Sequence, residues 1–326
     1  MKAIVISSYG APEVLHVTDL PDPVPAPGEV LIRVKAFGLN HAEAYMRAGA
    51  WGEVAAVPGI ECAGLVEADP SGRLAPGTRV VAILGGMGRT RNGSYAELVT
   101  APATNVAAVD SSLGWAELAA VPEVYATAWY GLFGNLGLRP GERVLVRGAT
   151  SALGQAAVNL AVDHGANVLA TTRNPAHAPL LKELGAEDVL IDDGNLAAQV
   201  NGGDRIVDAV FDLVGNNALR DSLATVRLRG RVCQLGFLGG FEPVSEFNPL
   251  TDLPTGVQLS FFGSAFVLGS PEFPLTAVPL DAIYAKVASG ALPAGPTRIF
   301  RFDEIVEAHR VLEAGGALGK MAVRVD

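Results

Sequence analysis

Residues 143–165 read RVLVRGATSALGQAAVNLAVDHG. Arg143 to Val146 forms a short apolar run of the kind found in a buried strand. The segment after it places Leu153, Ala156, Ala157, Leu160 and Ala161 on one helical face, and Gly165 ends the helix. The turn between them, Gly148 to Gly154 (GATSALG), is a strand-to-helix turn of the phosphate-binding kind. There, backbone without side chains can approach a pyrophosphate, and first-turn N–H groups present the positive end of the helix dipole. The glycine positions of a GxGxxG fingerprint fall on Ala149, Ser151 and Gly154, so only the last glycine is kept. A turn rich in Gly and Ala also serves packing alone. Its setting between a buried strand and a small-residue helix favours cofactor binding by Gly148, Ser151, Ala152, Leu153 and Gly154.

The pattern repeats downstream. Asn167 to Thr171 is the next strand, and Asn174 can cap a helix with Pro175 in its first turn and Leu180, Leu181 and Leu184 as its core stripe. Strands at Val189–Ile191, Val207–Leu213, Val232–Leu235 and Val257–Phe261 bring the total to about six, the number in a full dinucleotide fold. Strands alternating with helices from about Val121 predict an α/β, Rossmann, doubly wound parallel sheet. An NAD-selective site would carry a carboxylate at the end of the second strand. This chain has Thr171, Thr172 and Arg173 there, with His177 one turn on. Hydroxyls and a guanidinium suit a 2′-phosphate, so NADPH is the expected cofactor; alternatively Arg173 only solvates a helix start.

Before Val121 the pattern differs. Short strands at Met1–Ser7, Val30–Phe37, Glu61–Glu67, Arg79–Leu84 and Tyr95–Thr100 are separated by Pro and Gly, with one helix at Asn40–Ala48. This predicts a partly open, mostly β barrel over residues 1–120, a nucleotide domain over 121–263, and a tail, 264–326, that returns to the first domain. The tail reads as mixed helix and loop ending in a strand, Met321–Val325. Hydrophobic residues make up 49% and charged residues 18%, enough for well-filled cores and too few charges for a disordered chain. A net charge of -10 with scattered basic residues argues against nucleic acid or anionic lipid as a partner. Cys62 and Cys233 form no CxxC spacing and suit a reducing cytoplasm. The start, MKAIVISSYG, is too short in apolar residues for a signal peptide, so a cytoplasmic location without membrane attachment is expected.

The chain further contains, in this order, FGLNHAEAYMRAG (Phe37–Gly49), PGIECAGLV (Pro58–Val66), GSYAELV (Gly93–Val99), ATAW (Ala126–Trp129), GATSALGQAA, DLVG (Asp212–Gly215), GRVCQLG (Gly230–Gly236) and GKMAV (Gly319–Val323). In order and spacing these stretches resemble the medium-chain dehydrogenase/reductase superfamily and its zinc-independent quinone oxidoreductase (zeta-crystallin-like) branch. The resemblance spans nearly the whole chain and implies a GroES-like barrel domain, a nucleotide domain and an active-site cleft between them. Zinc-dependent members carry a Cys near Asn40 and Gly-His-Glu where this chain has Gly59-Ile60-Glu61, and a four-cysteine lobe near Gly85–Ser94, which holds no cysteine here. Metal-free chemistry is therefore expected: hydride transfer from NADPH to a quinone or an α,β-unsaturated carbonyl, whose own conjugation takes up the charge.

The resemblance further implies that Asn40 lies beside the nicotinamide ribose or the substrate oxygen, and that Thr127 holds the carboxamide or ribose. Tyr45 and Tyr125 are candidates for hydrogen bonding in the cleft, or packed residues of amphipathic helices. Val214, Gly215, Gly236 and Phe237 are expected at strand ends facing the cofactor, Phe262 and Gly263 in a loop over the nicotinamide, and Lys320 near the nucleotide or as a solvated surface charge. Related enoyl reductases place a proton-donating Tyr in Gly-x-Tyr-Pro, where this chain reads Gly49-Ala50-Trp51-Gly52. Trp51 is a flat wall for a planar substrate or a structural aromatic. Reduction of enoyl thioesters and a catalytically weak, NADPH-binding crystallin-like protein remain the alternatives. A homodimer through the strand near Val257–Phe262 is expected from the family and from its apolar edge.

Overall fold

The computed structural model describes residues 1–201 and 206–325. The first seven strands are β1 (Lys2–Ile6), β2 (Leu15–Asp19), β3 (Glu29–Leu39), β4 (Glu61–Ala68), β5 (Arg79–Ile83), β6 (Leu98–Pro102) and β7 (Val106–Ala108). Six more follow: β8 (Arg143–Arg147), β9 (Asn167–Thr172), β10 (Asp188–Ile191), β11 (Val207–Asp212), β12 (Val226–Gln234) and β13 (Gln258–Phe261). Two close the chain, β14 (Pro296–Arg301) and β15 (Lys320–Arg324). Two compact units result, Met1–Ala126 with Ser264–Asp326, and Thr127–Gly263.

In the first unit, β1 and β2 form a hairpin sheet, while β14-β15-β3-β4-β5-β7 form a larger one in which β6 also pairs with β3. The eleven residues of β3 make it the spine: its first half pairs with β6 (Glu29 opposite Pro102) and its end with β15 (Leu39 opposite Met321). Register shifts between β3 and β4 after Leu31 and Val34 bend the strand into a barrel wall. Apolar side chains from both stretches of sequence fill this core, among them Ile32, Val34, Phe37, Val80, Ile305, Leu312, Met321 and Val323. Each such side chain contributes about 1.5–3 kcal/mol of transfer free energy when buried. This is the GroES-like half of the expected fold.

The tail differs from its reading as helix and loop, since β14 runs parallel to β15 within the sheet. Its sequence PTRIFR is mostly exposed, with only Phe300 buried, so the apolar signal of a strand is faint. The strand expected from Tyr95 begins instead at Leu98, because Tyr95 is spent in the core, stacked on Phe37 with ring centroids 4.4 Å apart. On the helix Ile305–Glu313, His309 lies on the buried face and its Nε2 meets the Tyr95 hydroxyl at 3.1 Å. Burial, with the nearby Arg47 cation, lowers its pKa to about 3, so it packs as a neutral ring.

The second unit is one parallel sheet in the order β10-β9-β8-β11-β12-β13. The order reverses between β8 and β11, which sets a crevice at the carboxyl ends of these strands. Leu145, Leu169, Leu190, Val210, Leu223 and Val232 pack on one face. Strand β12 is longer than expected, starting at Val226, because Arg227, Leu228 and Arg229 are exposed and mask its apolar alternation. Helix α1 (Ala152–Asp163) follows β8, and helix α2 (Leu196–Asn201) lies beside helix α3 (Leu219–Thr225).

Candidate functional site

The carboxyl ends of the second unit's strands gather most of the predicted nucleotide residues. Gly148 has φ +82°, and its N–H donates to Thr171 Oγ1 at 3.1 Å, which ties the end of β8 to the end of β9. Ser151 caps α1: its Oγ accepts from Gly154 N–H at 3.1 Å and donates to the Gly148 carbonyl at 2.9 Å. That hydroxyl is therefore consumed by the turn. The first-turn amides of Ala152 and Leu153 have no intrahelical acceptor, which leaves them for an anion. A side chain on Gly154 would stand 2.4 Å from the Gly148 carbonyl oxygen, one on Gly215 2.4 Å from the Gly236 oxygen, and one on Gly236 2.6 Å from the Leu213 oxygen. These close approaches require bare backbone at the three positions, where the turn after β8 and the loops after β11 and β12 pack without side chains.

At the end of β9 the hydroxyls serve the chain itself. Thr172 Oγ1 donates to the Asn174 carbonyl at 3.1 Å and accepts from Asn174 N–H, and Asn174 in turn caps the next turn through Ala176 N–H. His177 Nε2 lies 3.4 Å from the Asn174 amide. Arg173 is exposed, and among the described residues it forms no ion pair. Asp212 fixes the loop after β11 by accepting from Val214 N–H at 2.8 Å and Gly215 N–H at 2.9 Å. Burial raises its pKa, against the pull of Ser222 and Arg147. Phe237 is half-buried and stacks on Phe241 at 5.2 Å, whereas Phe262 is buried against Tyr130, so its ring belongs to the core. Gly263 follows it at the close of this unit, and Thr127 is buried at its start.

Sequence reasoning passed over a buried network beneath the glycine turn. Arg147, 1% exposed, forms two parallel bonds to Asp192, Nε to Oδ2 at 2.8 Å and Nη2 to Oδ1 at 2.9 Å. Its Nη1 is 2.9 Å from Asp221 Oδ2 and donates to Ser222 Oγ at 2.9 Å, and Ser222 passes a bond to Asp212 at 2.6 Å. Burial opposes the cation, but Asp192, Asp212 and Asp221 outweigh it and raise its pKa. A charged residue closing an apolar run, RVLVR, was the available signal.

In the first unit a second buried cluster surrounds Asn40. The register Leu39 opposite Met321 makes Asn40 and Lys320 neighbours at adjoining strand ends. Lys320, 4% exposed, donates to Asn40 Oδ1 and pairs with Glu61 at the start of β4, so it is not a solvated surface charge. Asn40 Nδ2 donates to Glu61 Oε1 at 3.0 Å and to Glu43 Oε1 at 3.3 Å, which occupies both amide hydrogens. Glu61 Oε2 also accepts from Glu123 N–H, and Glu43 from Asn40 N–H and Ile60 N–H. Burial pushes the Glu43 carboxyl up to about 7, partly countered by Lys320. Gly38 is what admits the pair, since a Cβ there would lie 2.3 Å from Glu61 Oε1 and 2.7 Å from Lys320 Cε. Tyr45 is half-buried, its ring 6.3 Å from His41; Tyr125 is 2% exposed; Trp51 is half-buried. No group of three or more His, Cys, Asp or Glu among the described residues has metal-binding geometry, and no helix there is long and apolar enough to cross a membrane.

Two family models match the chain: "Alcohol dehydrogenase GroES-like domain" over residues 26–111 and "Zinc-binding dehydrogenase" over residues 152–280. A quinone oxidoreductase of Mus musculus is 32% identical over 255 residues, covering 74% of this chain and 75% of that protein. Among solved structures, the quinone oxidoreductase of Pseudomonas syringae pv. Tomato DC3000 has a TM-score of 0.87 at 27% identity, covering 99% of each chain. Mycobacterial Rv1454c complexed with NADPH has a TM-score of 0.85 at 28% identity, covering 100% of each chain.

Proposed function

Since the chain belongs to the quinone oxidoreductase branch of the medium-chain dehydrogenase/reductase superfamily, we propose that it reduces a quinone or an α,β-unsaturated carbonyl with NADPH and without a metal. The observation that carries this reading is the exposed Arg173 at the end of β9, beside the Gly148–Thr171 bond and the open amides of α1. A 2′-phosphate meets a guanidinium there, while the pyrophosphate meets backbone N–H groups. The mycobacterial relative solved with NADPH supports the same choice.

NADPH would supply a hydride when bound. The acceptor takes that hydride and a proton; a quinone becomes a hydroquinone, and an enone gains hydrogen at its β-carbon with charge passing to oxygen. The metal-free reading is supported by Lys320, whose ammonium already neutralises Glu61 and engages Asn40, the positions compared above with zinc ligands. By the resemblance, Asn40 is assigned to the nicotinamide ribose or the substrate oxygen, and Thr127 to the carboxamide or ribose. Of the two tyrosines, the half-buried Tyr45 is the better donor to substrate, since Tyr125 is packed away.

The test is NADPH consumption by purified protein across a panel of quinones, enals and enones. Turnover with NADPH, and slower turnover with NADH, is expected. Absence of nucleotide binding, read as unchanged NADPH fluorescence on titration, would discard the reading. Binding without any turnover would favour the crystallin-like alternative. A homodimer is proposed through β13, the sheet edge on which Leu259 and Phe261 are exposed, and light scattering would read its mass.

A further inference from the structure

We propose that Arg147 is a positioning residue that sets nucleotide specificity: it holds Asp192 in a buried ion pair, so that a 2′-phosphate meets Arg173 instead of an acid. The inference rests on the NADPH reading and deepens it. In sheets of this kind a carboxylate beside the second strand's end selects NAD by accepting a ribose hydroxyl and repelling phosphate. The sequence has none at Thr171–Arg173, but the fold brings one there. Leu190 is paired with Thr171 and Ile191 with Thr172, and Asp192 N–H then donates to the Thr172 carbonyl at 2.9 Å. Asp192 thus stands one strand away from Arg173.

What its carboxylate can do depends on Arg147. Both Asp192 oxygens are engaged by the guanidinium fork, and Oδ1 also accepts from Gly194 N–H at 3.1 Å. The neighbouring Asp193 is occupied with Asn195 N–H and Gln199 Nε2, at 3.0 and 3.2 Å. With the fork removed, a full negative charge is left uncompensated within one strand spacing of the ribose site. Asp221 pairs with the same guanidinium, yet its carboxylate caps α2 through Leu196 N–H and Ala197 N–H, both at 3.0 Å, on the helices rather than the strand end. The two acids therefore serve as each other's control.

The experiment compares Arg147→Gln/Asp192→Asn with Arg147→Gln/Asp221→Asn. Each loses the same cation and one of its acids, so net charge and the burial problem match. Dissociation constants for NADPH and NADH are read by nucleotide fluorescence, with thermal melts alongside. The ratio of NADPH to NADH affinity is expected to fall about tenfold when Asp192 remains unpaired and to stay within about twofold of wild type when Asp192 is replaced. An equal ratio in the two double variants overturns the proposal, because a purely structural Arg147 would weaken both nucleotides alike. Wild-type preference for NADH would refute the NADPH reading, while the difference between the double variants would still decide the role of Asp192. Failure of wild type to bind either nucleotide refutes both.

Discussion

The Lys320 ammonium meets the Glu61 carboxylate in the space that Gly38 leaves by lacking a side chain. Removing one partner leaves a charge buried without compensation, which costs about 3–5 kcal/mol. Lys320→Met is therefore expected to lower the urea midpoint sharply, and Lys320→Met/Glu61→Gln to recover most of the loss. Equal destabilisation in both variants would mean that packing, not charge, is what Lys320 provides.

Gly38→Ala tests the same cluster from its other side. The added methyl meets the Glu61 and Lys320 side chains at less than contact distance, an overpacking cost of about 1–3 kcal/mol. The variant should melt earlier than wild type while its second unit, which does not contain Gly38, still binds nucleotide.

Arg173→Ala should weaken NADPH binding about tenfold and leave NADH binding unchanged, the loss of one charge-assisted contact to phosphate. Titration of nucleotide fluorescence reads both. Unchanged NADPH affinity would remove Arg173 from the site.

The pH dependence of stability has two limbs. Glu43 ionises at about 7 in the fold against an ordinary value of 4.5, so the folded state holds its proton longer than the unfolded state. Its contribution is complete below 4.5 and is lost as pH rises to about 7, at most about 3 kcal/mol. His309, lowered from 6.5 to about 3, acts oppositely: its contribution is present above 6.5 and drains away as pH falls toward 3. In Glu43→Gln the first limb should vanish, leaving stability that rises with pH to about 6.5 and then levels, as melting temperatures between pH 4 and 8 would reveal.

Burial pushes the thiol of Cys62 up to about 12 and that of Cys233 up to about 11. Neither should react with a thiol reagent in the native protein, and both should react once urea unfolds it. Rapid native labelling would contradict the packing.

The two larger sheets were legible because the stretches that build them carry local signals: the turn after β8, the alternation of β3, the apolar cores of β9 and β11. Strands β2 and β14 were not, since LHVTD and PTRIFR lie mostly exposed and depend on pairing with distant strands. At the site, Gly148, Gly154 and Arg173 could be found from spacing along the chain. The partners of Arg147 and Lys320 could not, because Asp192, Asp221, Glu61 and Asn40 reach them only through strand order and register. Ser151 and Thr172 read as ligand groups from their positions after β8 and at the end of β9, and their hydroxyls also close local turns.

Because β15 lies against β3 and Lys320 completes the cluster at Asn40, the first unit depends on strands from opposite ends of the sequence. Translation delivers every strand of the nucleotide-binding unit before it delivers β14 and β15. A nascent polypeptide can therefore mature from its middle outward, the interior unit acquiring its sheet while the earlier-made barrel strands still await their last two members.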